Sequence, residues 1–205
     1  MLDPNWVFLS AGLGLLGSLR YAHATLTGRA YPNRVTWVLW AAAPLIGFFA
    51  QLDEGVGLTS VQTLAAGVNP LIVVAASFIS RHGAVRITGF DLVCGAISVA
   101  ALAVWLGLGQ APLAVLFAAL ADGSGGVPTL RKAWRDPHSE NAFFYGLVVV
   151  AATITLLTVD DWRPASWMFA GYLLTLGLLF TTVIAGRRLA LRGAGRLAPA
   201  EPPRE

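Results

Sequence analysis

Cysteine, lysine and charged residues are all scarce in this 205-residue chain. The single cysteine, Cys94, excludes a disulfide and a thiolate metal site built within one chain. The single lysine, Lys132, falls at the end of an apolar segment, so no lysine lies where it could hold retinal as a Schiff base. His23, His82 and His138 share no metal-ligand spacing. The sequence therefore predicts neither a metal site nor a bound cofactor.

Motifs of enzyme chemistry are also missing. The chain has no Ser-His-Asp arrangement, no P-loop and no paired carboxylates. Residues 12–17 read GLGLLG and match the dinucleotide-binding pattern GxGxxG, but no strand precedes them and no soluble helix follows. We interpret these glycines as a close-packing face within a membrane helix. The sequence therefore predicts a protein that is not an enzyme.

Apolar segments make up most of the chain. Hydrophobic residues are 56% of it, charged residues 12%, and the mean hydropathy is +0.67, well outside the usual composition of soluble domains. About 20 mainly apolar residues in a helix cross a hydrocarbon core of about 30 Å. The sequence predicts an all-α membrane protein with seven transmembrane helices, with a buried soluble bundle as the alternative. The predicted helices are residues 5–24, 34–52, 58–80, 88–108, 111–132, 141–159 and 164–186.

Basic residues indicate the orientation of these helices. Apart from Arg163, every Lys and Arg lies in the first, third or fifth connection, near the helix ends that border these connections, or after the last helix. The positive-inside rule then predicts that the N-terminus lies outside and the C-terminus in the cytoplasm. The chain is expected to be an integral membrane protein of a bacterial plasma membrane. The same distribution accounts for the pI of 9.5 without a nucleic-acid partner. Residues 187–205, rich in Gly, Pro, Ala and charge, are predicted to form a disordered cytoplasmic tail.

A weak internal duplication relates the two halves at an offset of 105 residues. The matched pairs are Pro32 with Pro137, Thr36 with Asn141, Trp40 with Tyr145, and Ala41 with Gly146. An odd number of helices per repeat requires one linker helix to keep the two copies parallel. We therefore predict a 3+1+3 arrangement of two parallel three-helix bundles: a first repeat at 5–80, an inversion linker at 88–108 and a second repeat at 111–186.

Residues 126–140, GVPTLRKAWRDPHSE, place a proline near the end of a helix, then a basic turn, then a serine before the next helix. This segment resembles a PQ-loop in which Thr129 stands at the position of the glutamine. Over residues 5 to about 188 the chain resembles the SWEET and PQ-loop superfamily of small membrane transporters. Nicotinamide riboside transporters share the 3+1+3 plan and often carry Trp-x-x-Trp, which Trp37 and Trp40 reproduce.

The resemblance implies a substrate site between the two bundles. An asparagine in the middle of the third helix contacts substrate in SWEET-like proteins, which implies this role for Asn69. Pro70 follows it and leaves the carbonyl of residue 66 without its helical donor, so a polar notch is expected there. The corresponding part of the seventh helix offers Tyr172 or Thr175.

Aromatic residues add candidates to this site. Trp40 and Tyr145 could stack on a sugar or a planar ring, or belong to the aromatic belt at the membrane surface. The sequence leaves both interpretations open. For four other tryptophans the belt is the favoured interpretation, namely Trp37, Trp134, Trp162 and Trp167.

Asp122 is the one carboxylate well inside a predicted span. Residues 123–126, GSGG, and then Pro128 follow it, so the helix is expected to be loosened or broken there. In one interpretation Asp122 exchanges a proton or binds substrate while Gly125 and Pro128 hinge a gate. In the other it accepts free amides of an irregular backbone.

These features predict an alternating-access transporter or facilitator for a small polar metabolite, either a sugar or a nucleoside- or vitamin-like compound. The alternative is a non-transporting membrane receptor or assembly factor on the same scaffold. The expected partners are a small-molecule substrate and the lipid bilayer, and a homo-oligomer is left open. A carrier should have a polar central cavity that contains Asn69, Trp40 and Tyr145, whereas an assembly factor should have an apolar, packed centre.

Overall fold

The computed structural model of the protein describes residues 2–81, 86–108 and 111–197. These residues form seven α-helices and one short 3-10 helix, so the all-α prediction is confirmed. His82, one of the three histidines considered as metal ligands, lies outside the described residues. So do the residues after 197, which belong to the predicted disordered tail. The helices are α1 Trp6–Leu26, α2 Arg34–Asp53, α3 Ser60–Ile79, α4 Gly89–Leu108, α5 Ala111–Arg135, α6 Ala142–Leu157 and α7 Pro164–Leu197, with the 3-10 helix at Pro137–Ser139.

Three helices are long and apolar enough to cross a membrane. They are α2, α3 and the Pro164–Arg192 part of α7, with mean hydropathies of 1.6, 1.6 and 1.9. Shorter apolar stretches occur at Gly89–Ala100 in α4 and over α6. Since about 20 apolar residues suffice for a span, these helices indicate a membrane protein. The seven predicted spans remain a prediction.

The distribution of side chains supports a lipid environment. Large apolar side chains on the outside are strongly exposed, including Phe49, Phe78 and Ile79, the last at 73% of its surface. Polar side chains such as Thr36 and Gln62 are buried inside the bundle. Soluble proteins place polar side chains on the surface and large apolar side chains inside, because water solvates polar groups favourably. An apolar exterior of this kind suits contact with lipid tails.

Asparagine side chains cap the N-termini of two helices. Asn33 accepts hydrogen bonds from the amides of Val35 and Thr36 at the start of α2. Asn141 does the same for two amides at the start of α6. These caps lie 108 residues apart, three more than the offset inferred from the sequence. By helix position, Tyr145 therefore corresponds to Trp37 and not to Trp40.

The last helix continues further than the sequence suggested. α7 runs to Leu197, so the prediction of disorder from residue 187 is wrong for residues 187–197. Arg187 donates to the carbonyl of Trp134 at 2.9 Å, and Arg188 donates to the carbonyls of Pro137 and Glu140 at 3.1 and 2.7 Å. These bonds hold the helix against the α5–α6 connection, a tertiary effect that composition does not report.

Helix contacts divide the bundle into two groups. α3 packs against both α1 and α2, and α7 packs against both α5 and α6. The groups meet where α1 packs on α6 and α2 packs on α5, while α4 packs mainly on α5 and less on α2. The centre of the bundle therefore lies between α1, α2, α3, α5, α6 and α7.

An aromatic cluster fills the end of the bundle nearest the α1–α2 and α5–α6 connections. Trp37 is fully buried there, with its ring 4.6 Å from Tyr21 and 5.2 Å from Phe144. The prediction that Trp37 belongs to a membrane-surface belt is therefore wrong, because tertiary packing turns this face of α2 inward. Trp134 and Trp162 are more than half exposed, and Trp167 is half-buried.

Candidate functional site

A cavity of about 70 Å³ lies in the centre of the bundle. We call it the central cavity. Its walls are mostly apolar, with residues from α1, α2, α3, α5, α6 and α7. At about 10–15 Å³ for each water, it holds roughly five water molecules and is smaller than a typical ligand pocket of about 300–1,000 Å³. The polar and aromatic side chains on its wall are Ser18, Trp40, Gln62, Asn69, Asp122, Phe144 and Tyr145.

Four residues predicted from the sequence meet at this one cavity. Trp40, Asn69, Asp122 and Tyr145 come from four different helices, and all line its wall. Tyr172 does not line it but donates a hydrogen bond from its hydroxyl to Oδ2 of Asp122 at 2.6 Å. The structure therefore brings the predicted set together. Its role in binding stays a prediction.

Gly125 and Pro128 lie elsewhere on α5. Neither residue lines the central cavity. A Cβ on Gly125 would lie 2.8 Å from Cδ1 of Leu39, so glycine permits a close approach of α2 to α5. Gly126 faces Trp40 in the same way, at 3.2 Å from its ring. The gating role predicted for Gly125 and Pro128 is not tested by these contacts.

The expected break in α5 is absent. The helix is continuous from Ala111 to Arg135 through all its glycines and Pro128. Side chains of α2 hold it: the Thr36 hydroxyl donates to the carbonyl of Gly125 at 2.7 Å, and Nε1 of Trp40 donates to the carbonyl of Asp122 at 3.1 Å. Pro128 leaves the carbonyl of Ser124 without its helical donor, and the two bonds from α2 hold the helix at the neighbouring carbonyls.

Asp122 is buried, with 2% of its surface exposed. Its side chain accepts from the Tyr172 hydroxyl, not from amides of a broken helix, so the interpretation based on an irregular backbone is wrong. Within the described residues no Lys, Arg or His forms an ion pair with it. A carboxyl group in this setting can donate or accept a hydrogen bond at the cavity, depending on its protonation.

Asn69 faces the same cavity with its hydrogen-bonding groups uncommitted. Its surface is 8% exposed, and in the described part of the chain no group forms a hydrogen bond with its amide. Gly14 of α1 lies opposite, where a Cβ would approach Nδ2 of Asn69 to 2.9 Å. The Ser18 hydroxyl, one turn further along α1, is also buried without a partner. Together they form a small polar patch on the cavity wall.

Gln62 belongs to this patch but was missed in the sequence. Its Oε1 is hydrogen-bonded to the hydroxyl of Ser10, while its amide nitrogen has no partner among the described residues. A sequence signal existed. Gln62 and Asn69 are seven residues apart and therefore lie on one face of α3, inside an apolar segment where polar residues are costly.

The rings of Trp40 and Tyr145 are interior. Their exposed fractions are only 6% and 2%, which excludes the membrane-surface belt for both. Tyr145 stacks on Phe180 at a centroid distance of 4.5 Å, and Trp40 packs edge-on against the same ring at 5.7 Å. These contacts give the cavity an aromatic wall of fixed orientation.

Glu140 binds three side chains next to the central cavity. Its Oε2 accepts from the Tyr21 hydroxyl at 2.8 Å and the Tyr145 hydroxyl at 3.1 Å, and its Oε1 forms an ion pair with Lys132. Lys132 also donates to the carbonyl of Tyr31. We call Glu140, Lys132, Tyr21 and Tyr145 the Glu140 cluster. Sequence analysis missed it, because Tyr21 and Glu140 are 119 residues apart along the chain.

Comparison with known proteins adds no relatives. No family model matches the chain, and no curated protein and no solved structure matches it. The resemblance to the SWEET and PQ-loop superfamily therefore stays a prediction based on residues 126–140 and the helix pattern.

Proposed function

We propose that this protein is an alternating-access transporter or facilitator for a small, polar, uncharged metabolite, with its substrate site at the central cavity. The observation that carries the proposal is the polar patch of Asn69, Ser18 and Gln62. The Ser18 hydroxyl is buried without a partner, which costs about 1–3 kcal/mol. Asn69 and the amide nitrogen of Gln62 add unused hydrogen-bonding groups on the same cavity wall. A substrate hydroxyl or amide would supply the missing partners.

The helix contacts support two parallel three-helix bundles with α4 as linker. A rotation that superimposes α1, α2 and α3 on α5, α6 and α7 exchanges the α1–α6 contact with the α5–α2 contact. It also matches α3, which contacts both other helices of its group, with α7. This symmetry favours seven spans, the 3+1+3 plan and membership of the SWEET and PQ-loop superfamily.

The small size of the cavity favours a conformation of the transport cycle that does not hold the substrate. A volume of about 70 Å³ does not accommodate a sugar or a nucleoside. The Glu140 cluster ties α1, the end of α5 and α6 together on one side of it. A substrate would enter after these helices separate, as alternating access requires.

The charges on the wall disfavour an anionic substrate. Asp122 is the only ionisable acid there, and no Lys, Arg or His from the described residues lines the cavity. An anionic substrate would lack a counter-ion, whereas the Trp40 and Tyr145 rings suit a sugar or a planar heterocycle. We infer a sugar or a nucleoside- or vitamin-like compound. Asp122 is the candidate for proton coupling.

The second candidate is a non-transporting receptor or assembly factor on this scaffold. The mostly apolar wall of the central cavity favours it, because a carrier was expected to have a more polar one. Such a protein would show no ligand-dependent stabilisation through Asn69.

A thermal-shift screen of the purified protein tests the proposal. Sugars, nucleosides and vitamins are added in detergent, and a ligand at 100 times its dissociation constant should stabilise the protein by about 2.7 kcal/mol. Asn69→Ala and Trp40→Ala should abolish that stabilisation while leaving a folded, monodisperse protein. Trp167→Ala, at the half-buried edge, is the control. Equal losses in all three variants would indicate general destabilisation and contradict the site.

Orientation is tested by labelling. We propose a bacterial plasma-membrane protein with its N-terminus outside and its C-terminus cytoplasmic, as the basic residues favour. Cysteine introduced at the exposed positions Asp53 or Asp160 should react with an impermeant reagent from outside, and cysteine at Arg86 or Arg192 should not. The opposite labelling pattern would overturn the orientation.

A further inference from the structure

A second cavity, of about 460 Å³, lies beside the Glu140 cluster, outside the central cavity. We call it the basic cavity. The end of α1 and the turn after it, the α5–α6 connection, and α7 all contribute to its wall. Its ionisable side chains are Arg20, His23, Arg29, His138, Arg188 and Glu140.

The positive charges of this cavity are not neutralised by the protein. Arg20 lies over the ring of Phe143 at 4.5 Å, and Arg29 donates to the hydroxyl of Thr27 at 3.0 Å. Arg188 donates only to backbone carbonyls. Within the described residues none of the three arginines forms an ion pair with a carboxylate. They therefore keep donors for an external anion.

Glu140, the one carboxylate on the wall, is already neutralised. Its Oε1 pairs with Lys132, and its Oε2 accepts from two tyrosine hydroxyls. Three arginines thus face a cavity whose only acid is committed to other partners. Guanidinium groups match phosphate oxygens in a bidentate geometry, which a metabolite of no charge could not use.

Exposed apolar side chains occur on the wall of the basic cavity and next to it in sequence. Leu19, next to Arg20, is 51% exposed, and Phe143 on the cavity wall is 44% exposed. Exposed apolar residues beside arginines at the end of a membrane helix form a surface on which an acyl chain and a phosphate can bind together. Basic pockets between membrane helices on the cytoplasmic side bind anionic head groups in this way.

We propose that the basic cavity binds a phosphate ester, and that the head group of an anionic phospholipid supplies it. The site is separate from the central cavity, and its test requires no transport. A soluble phosphate compound offers the same anion without the acyl chains, so the two sources can be distinguished by experiment.

Lipid binding to the purified protein in a neutral detergent tests the proposal. Phosphatidylglycerol and phosphatidylcholine are titrated separately, and binding is followed by native mass spectrometry and by the unfolding temperature. The wild type should bind phosphatidylglycerol at least about tenfold more tightly, since a few charge-assisted bonds suffice for that ratio. The variant Arg20→Gln with Arg29→Gln should lose this preference.

Arg131→Gln is the matched control. Its guanidinium lies over the ring of Phe90 at 4.7 Å, as that of Arg20 lies over Phe143, and both arginines are exposed, but Arg131 lies outside the basic cavity. Arg131→Gln should keep the full preference for phosphatidylglycerol. If it loses as much as the double variant, or if the double variant loses nothing, a general basic surface explains binding and the proposal is overturned.

Inorganic phosphate separates the two sources. If millimolar phosphate neither stabilises the protein nor displaces phosphatidylglycerol, the lipid is the source. If phosphate alone stabilises the wild type and not the double variant, the anion site is supported and the lipid source is overturned. Should the double variant fail to fold, Arg29→Gln alone serves, because the hydrogen bond from its guanidinium reaches only Thr27. Arg29→Gln should lower the preference for phosphatidylglycerol over phosphatidylcholine about threefold or more.

Discussion

Two buried carboxylates, Asp122 and Glu140, face different surroundings although each has 2% of its surface exposed. Glu140 has a cation, Lys132, and two hydroxyl donors from Tyr21 and Tyr145. Asp122 has one hydroxyl donor, from Tyr172, and no cation partner within the described residues. From this difference we predict that Glu140 secures the fold and that Asp122 is the acid available at the central cavity.

The positions of the two acids agree with this division. Glu140 connects α1, the end of α5 and α6, so its bonds cross the boundary between the two helix groups. Asp122 bonds to α7 within one group and lines the central cavity. Variants of the two acids should therefore differ in stability and in ligand response.

The largest expected effect is that of Glu140→Gln. Glutamine keeps an acceptor for the tyrosines but leaves the charge of Lys132, whose side chain is only 14% exposed, without its partner. Breaking such a pair should lower the free energy of unfolding by about 3 kcal/mol. Denaturant unfolding in detergent measures it.

Asp161→Asn is the control for that variant. Asp161 pairs with Arg163, but both side chains are more than half exposed. An exposed pair contributes at most about 1 kcal/mol. If the two variants cost the same, the Glu140 cluster does not secure the fold and the comparison of the two acids fails.

A smaller loss is expected for Tyr172→Phe. It removes the one hydroxyl that donates to Asp122 and leaves this buried acid without a protein donor. We expect a loss of about 1–3 kcal/mol in the free energy of unfolding. Tyr21→Phe is the comparison, because Glu140 keeps its contacts with Lys132 and Tyr145 in that variant. Its free energy of unfolding should fall by about 1 kcal/mol. A larger loss at Tyr21 would mean that the partners of Glu140 are not redundant.

Asp122→Asn should cost less again, about 1 kcal/mol or less, since the amide oxygen can still accept from Tyr172. The hypothesis of proton coupling predicts that downhill exchange persists in proteoliposomes while the response to an imposed pH gradient disappears. The response disappears because the asparagine amide, unlike a carboxyl group, does not take up and release a proton as the pH changes. Unfolding of Asp122→Asn would favour a structural role, and an unchanged pH response would favour a uniporter.

Gly14→Ala should have the smallest effect on stability and a clear effect on ligand binding. The new methyl would lie 2.9 Å from Nδ2 of Asn69 and would push this flexible side chain across the cavity. We expect the change in unfolding free energy to stay within about 1 kcal/mol, while ligand stabilisation falls. Gly12→Ala, where a Cβ meets no atom within 4 Å, should leave ligand stabilisation unchanged. Equal responses of the two variants would contradict a site at Asn69.

Much of the candidate site could be predicted before the structure, for one physical reason. A polar or acidic residue inside an apolar segment is costly in lipid unless it faces the interior, so Asn69 and Asp122 stand out in the sequence. The same argument applied to Gln62 would have found it. The expected break in α5 near Gly125 and Pro128 depended on local propensity alone, and hydrogen bonds from Thr36 and Trp40 of α2 hold the helix continuous there.

Local sequence by itself determined that the chain is helical, where most of the helices begin and that apolar helices of membrane-spanning length are present. Helix formation depends on neighbours three or four residues away, and the Asn33 and Asn141 caps act over the same range. Only the tertiary structure decided the partners of the buried groups. Tyr172 reaches Asp122 across 50 residues and Tyr21 reaches Glu140 across 119, distances along the chain at which no local pattern selects a partner. Helix packing makes that selection, because a buried acid in lipid is stable only where packing brings a donor to it.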